Sequence, residues 1–138
     1  MRATIITLGA AACLALAWRP SPPRLMWNTT ASVPVGLYRL DPSGRPSLGD
    51  LVAVSPPPEV ARLLADRGWL PSGVPLLKPV AAAQGQTVCR HHQTVTIDGQ
   101  VVVRAALADG RRRPLPAWEG CRRLGADEVF LLSREAGS

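Results

Sequence analysis

Proline decides what this chain can become. Fourteen prolines and twelve glycines are spread over 138 residues, and they leave few stretches in which a helix could run far. Between the breaks lie short apolar or alternating runs at residues 35–40, 51–54, 74–82, 87–90, 94–97, 101–105 and 129–132, each of strand length. Turn residues separate them: Asp41-Pro42-Ser43-Gly44, Gly49-Asp50, Gln84-Gly85-Gln86, the hairpin dipeptide Asp98-Gly99, and Gly125-Ala126-Asp127-Glu128. One soluble helix is predicted, over residues 58–67. Pro56 to Pro58 prepare its first turn, Glu59 suits the dipole, Val60, Leu63 and Leu64 form an apolar stripe, and Gly68 stops it. The expected fold is mainly β, an antiparallel β domain with one short helix.

A chain of this length holds one small domain and little else. With 46% hydrophobic and 19% charged residues it is an ordered protein. The net charge of +6 would suit an anionic partner. The arginines are dispersed, however, apart from Arg111-Arg112-Arg113, and only 4% of residues are aromatic, which argues against a nucleic-acid partner.

Residues 3–18 are apolar and flanked by Arg2 and Arg19-Pro20. That is somewhat short of the roughly 20 residues needed to cross a bilayer core. Ala15-Leu16-Ala17 has the form of a signal-peptide cleavage site, whereas Trp18 and Arg19 suit the interfacial end of a retained helix. A retained anchor over residues 1–19 is the favoured reading; as a transmembrane or a signal helix, the segment sends the rest of the chain across a membrane. Pro20, Pro22 and Pro23 make residues 20–27 a stiff tether, and residues 28–138 the domain. Cys13 falls in the apolar stretch, leaving Cys89 and Cys121 as the cysteines of the exported part. An even count there points to a disulfide, the alternative being two unpaired buried thiols.

The chain contains one lysine, Lys78, inside the apolar run Leu76-Leu77-Lys78-Pro79-Val80-Ala81. In strand geometry Leu76, Lys78 and Val80 share a face, so the amine rises from an apolar wall. Burial disfavours the ammonium form, and a neutral amine can act as a general base. The competing picture is a surface lysine with its head in water. Far upstream, Ser32 lies in the segment Asn28-Thr29-Thr30-Ala31-Ser32-Val33-Pro34-Val35-Gly36-Leu37-Tyr38. A serine beside proline is ordinarily a turn residue, yet a serine served by a neutral lysine is also an activated nucleophile. His91 and His92 near Cys89 suggest no metal site, because adjacent strand residues point to opposite faces and no second pair of ligands stands at a suitable spacing. No metal or cofactor is expected.

The order of parts is anchor, tether, serine, strand, Gly-Asp turn, strand, lysine in an apolar strand, and Gly turn. It resembles the type I signal peptidase family, in which a Ser followed shortly by Pro is the nucleophile and a Lys in a Leu-x-Lys-Arg-Val-like strand is the base. The similarity is greatest to its conjugal-transfer pilin maturation branch, called TraF. Asn28, Thr30, Ser32, Pro34, Gly36, Leu37 and Tyr38 resemble that branch's serine motif, and Leu77, Lys78, Val80 and Ala81 its lysine motif. The resemblance runs from the anchor to Val129-Phe130-Leu131-Leu132-Ser133. It implies a signal-peptidase-like β domain with catalytic Ser32 and Lys78. It also implies an oxyanion site made by the Thr30 hydroxyl and the Ser32 backbone N–H, where the residues alone would suggest a polar turn at Thr29-Thr30. The Cys89 and Cys121 pair looks like the disulfide of exported members.

Two departures stand out. Gln84-Gly85-Gln86 replaces the Pro-Gly-Asp of many relatives, a change of turn. Relatives also continue past the last strand into a Ser-, Asp-, Arg- and Gly-rich segment packed behind the lysine, of which Ser133-Arg134 is a stub; incomplete support for Lys78 is expected. The function implied is a membrane-anchored serine endopeptidase of the bacterial inner membrane, its domain on the periplasmic side. Its substrate would be a precursor peptide, a conjugative pilin, which such enzymes can cyclise. The alternative is a non-catalytic exported β domain serving as an assembly or binding subunit of a transfer system.

Overall fold

The computed structural model describes residues 24–30 and 32–133. The anchor expected over residues 1–19 lies outside them. Among the described residues no helix is long and apolar enough to cross a membrane.

Among the described residues nine strands and one helix follow one another as β1 (Leu25–Asn28), β2 (Gly36–Arg39), β3 (Leu51–Val54), α1 (Pro58–Asp66), β4 (Leu76–Ala82), β5 (Thr87–His91), β6 (Thr94–Ile97), β7 (Gln100–Arg104), β8 (Gly120–Arg123) and β9 (Phe130–Leu131). They form a β1-β2 ribbon, a β3-β4-β9 sheet and a β7-β6-β5-β8 sheet, with every pairing antiparallel. The described residues therefore have the mainly β fold with one short helix.

Two strands carry no clear signal in the sequence. The tether expected over residues 20–27 gives way at Leu25, because β1 pairs with β2 and sets Trp27 opposite Leu37. Prolines just upstream and a length of four residues hide it. β8 is Gly-Cys-Arg-Arg with three exposed residues, so it lacks the apolar alternation that marks a half-buried strand. Pairing to β5 holds it instead.

Turn chemistry explains most of the connections. Asp98 and Gly99 both take positive φ, 49° and 81°, as a tight two-residue hairpin demands, and Asp98 accepts the Thr87 N–H at 2.8 Å. Gly68, at φ 71°, ends α1: its N–H reaches the Ala65 carbonyl and that of Trp69 reaches Leu64, satisfying two carbonyls of the last turn. The helix stripe is displaced from expectation. Val60 is exposed, and Ala61 and Leu64 face Leu70 and Val74 across a small cleft.

The buried core is Ala82, Val88, Val95, Ile97 and Leu124, with Phe130 and Val103 packed against it. Ala82 ends β4, so the core sits where the two larger sheets succeed each other along the chain. The loop after β7 is fastened by Asp109. Its carboxylate accepts from Arg67 at 3.2 Å and from Arg113 Nε at 2.7 Å, and the Arg67 guanidinium also lies over Trp69, which ties the loop to the end of α1. Only Arg111 and Arg112 of the arginine run stay exposed.

Candidate active site

Lys78 lies in the middle of β4, the central strand of its sheet, opposite Val52 of β3. Leu77, Val80 and Ala82 are all buried, so β4 presents buried residues on both faces rather than one apolar wall. The Lys78 amine is half-buried, and burial lowers its pKa from the ordinary lysine value of 10.5. Nζ donates to Ser133 Oγ at 2.7 Å. That partner is brought in by β9: Leu131 pairs with Val80, and the Leu132 N–H donates to the Pro79 carbonyl. The residues just beyond the last strand thus hold the lysine from the side opposite β3. Gly49-Asp50 works on that other side, where the Gly49 N–H donates to the Val80 carbonyl and the Val80 N–H to the Asp50 carbonyl.

Ser32 lies in the loop between β1 and β2. The loop closes around Asn28, the last residue of β1, which is only 6% exposed. Asn28 Nδ2 donates to the carbonyl oxygens of Thr30, Val33 and Pro34, and Tyr38 reaches back from β2 to donate to the Pro34 carbonyl at 2.6 Å. Val33 is buried beneath the loop. Thr30 Oγ1 stands 3.3 Å from Ser32 Oγ, so two of the residues singled out in the sequence do meet. Among the described residues no hydrogen bond joins Ser32 to Lys78; Ser32 is bonded to Thr30, and Lys78 to Ser133.

Cys89 and Cys121 face each other across β5 and β8 and form a disulfide. The sulfurs lie close to the His91 ring, but a bonded pair has no thiolate to offer a metal. His92 does not alternate with His91 along a strand as the sequence suggests. It occupies the β5–β6 turn at φ 54°, donating its N–H to Glu119.

The sequence places Ser133 in a stub of the segment behind the lysine and Asn28 in the serine motif, but it gives the hydrogen-bond partners of neither. Ser133 acts across 55 residues, a relation no local pattern carries. Asn28 appears in the serine motif, and its place at the end of β1 just before a serine-bearing loop is the one signal that could have marked it.

The arrangement offers a lysine of lowered pKa and a hydroxyl pair on a hydrogen-bonded loop, the groups needed for acyl transfer. Comparison with known proteins points the same way. The chain is 40% identical over 121 residues to the "Probable conjugal transfer protein TraF" of Sinorhizobium fredii, covering 80% of this chain and 63% of that protein, so it spans less than two thirds of that relative. It is 32% identical over 139 residues to the "Plasmid transfer protein TraF" of Escherichia coli, covering 93% of this chain and 77% of that one. No solved structure is a significant match. Residues 1–138 match the family described as "Signal peptidase, peptidase S26", and the chain belongs to that family.

Proposed function

We propose that this chain is a serine endopeptidase in which Ser32 is the nucleophile and Lys78 the general base. The carrying observation is that the chain's one lysine is lodged within a sheet, held by Ser133, with its pKa lowered by burial. Ser32 Oγ attacks the peptide carbonyl as neutral Lys78 takes its proton. The Thr30 hydroxyl and the Ser32 backbone N–H stabilise the oxyanion of the tetrahedral intermediate. The intermediate collapses to an acyl-enzyme as Lys78 returns the proton to the leaving amine. Water then resolves the ester; an amine from the same substrate chain would close a ring instead.

The names of the two relatives support a place in conjugal transfer, and the substrate proposed is an exported pilin precursor. The apolar residues 3–18 support anchoring in the bacterial inner membrane with the domain on the periplasmic side, where a disulfide persists. Labelling of the full chain with a serine-directed acylating probe tests the dyad. The label is expected on Ser32, absent from Ser32→Ala and from Lys78→Arg, since a guanidinium cannot serve as a base at working pH. A Lys78→Arg protein that still acylates would remove Lys78 from the mechanism.

A further inference from the structure

The hydrogen bonds that Asn28 and Thr30 make in the serine loop have fixed directions. Asn28 Nδ2 faces three carbonyl oxygens, of Thr30 at 2.7 Å, Val33 at 3.1 Å and Pro34 at 3.2 Å, all of which only accept. This fixes the side-chain amide, so Oδ1 is the atom that accepts from the Thr30 N–H at 3.2 Å and from Thr30 Oγ1 at 2.9 Å. A threonine hydroxyl has a single proton, and here Asn28 holds it. At the 3.3 Å contact between Thr30 Oγ1 and Ser32 Oγ, serine is therefore the donor. The hydroxyl chain runs from Ser32 to Thr30 to Asn28.

We propose that Asn28 is a positioning residue of the Ser32 reaction: it keeps the Thr30 hydroxyl beside Ser32 and turned inward until charge develops on a substrate carbonyl. The inference rests on the reading of Ser32 as nucleophile and Thr30 as oxyanion donor. When Ser32 gives its proton to Lys78, Thr30 loses the bond that Ser32 donated. Its own proton then turns from Asn28 Oδ1 to the oxyanion. The Thr30 backbone N–H stays on Oδ1 and the three carbonyls stay on Nδ2, so the loop keeps its shape while one hydroxyl rotates. Asn28 touches no substrate. Its Oδ1 acts through Thr30, while its Nδ2 holds the Thr30, Val33 and Pro34 carbonyls of the loop that carries Ser32.

The p-nitrophenolate burst from p-nitrophenyl acetate tests this in the full chain, because so small an acyl donor needs only the nucleophile, the base and the oxyanion donors. Ser32→Ala should abolish the burst, and Thr30→Val should slow it about 100-fold, the usual cost of one oxyanion donor. Asn28→Ala is expected to slow it about tenfold with KM within about twofold, leaving the acidic limb of the pH profile in place because Lys78 is untouched. In the Thr30→Val background Asn28→Ala should cost clearly less than tenfold, since the part of its effect that passes through the missing hydroxyl is gone and only the loosened carbonyls remain. Should Asn28→Ala not fold, Asn28→Leu, which keeps the side-chain volume but has no acceptor for Thr30, is measured in the same two backgrounds under the same criterion. Losses that multiply in the double variant would mean a structural role alone and overturn the proposal. A burst surviving Ser32→Ala would instead remove the peptidase reading beneath it.

Discussion

The serine and the lysine are held in place by opposite means. Ser32 sits on a two-stranded ribbon whose apolar residues face outward, with Trp27 64% and Leu37 60% exposed, and a lone ribbon of this kind has little packing to stabilise it. What fixes the loop is the hydrogen bonding of one buried asparagine to residues two to six positions away. Lys78 sits in the central strand of a sheet, with Val52 opposite on β3, Ser133 supplied by the chain beyond β9, and buried Leu77 and Val80 in the same strand. Its surroundings are non-local and apolar. A nucleophile needs a hydroxyl that can turn, which a local polar loop permits; a lysine base needs its charge made costly, which burial does here.

If that division is real, damage to the larger sheets should leave the serine loop intact. The biggest effect expected is from Cys89→Ser with Cys121→Ser. The bridge spans 32 residues, and in the chain-entropy model a loop of that size is worth about 3–4 kcal/mol. Thermal denaturation should reflect a loss of that order, and hydrogen exchange should rise in β5, β8 and the residues between them. Amides of the serine loop, anchored on Asn28, should change least. Exchange that rises first in the 28–34 loop would break the comparison.

A smaller and sharper effect is expected at Ser133. Ser133→Ala removes the acceptor of the Lys78 amine but not the burial that sets its pKa. The expected result is a fall in kcat of about tenfold, close to 1.4 kcal/mol, with the acidic limb unmoved and KM little changed. A limb that shifts strongly would place the control of the lysine in its hydrogen bond rather than in its packing.

Much of this was legible in the sequence, and the rest was hidden for physical reasons. Strands β3, β5 and β6 were marked by apolar runs between turn residues, and Asp98-Gly99 and Gly68 did what their conformational freedom suggests. β8 was invisible because its side chains are exposed and its evidence is a partner strand. Lys78 stands out in the sequence as a lone cation in an apolar run, while the Ser133 that holds it lies in the stub where the sequence implies incomplete support. Thr30 and Ser32 were visible as a pair two residues apart, yet the direction of their hydroxyl chain depends on which side Asn28 turns its amide, which only the fold decides.

The claim on which all of this turns is that Lys78 is neutral when Ser32 needs a base, and the composition makes it directly measurable. With one lysine in the chain, a protein labelled with 13C at lysine Cε gives a single side-chain resonance. A lysine depressed by burial binds fewer protons folded than unfolded between its folded pKa and 10.5, so stability and activity should both rise with pH as that resonance titrates. The expected midpoint lies below 10.5 and coincides with the acidic limb of acylation; a midpoint at the ordinary lysine value, with acylation unaffected by it, would contradict the role of Lys78 as the base.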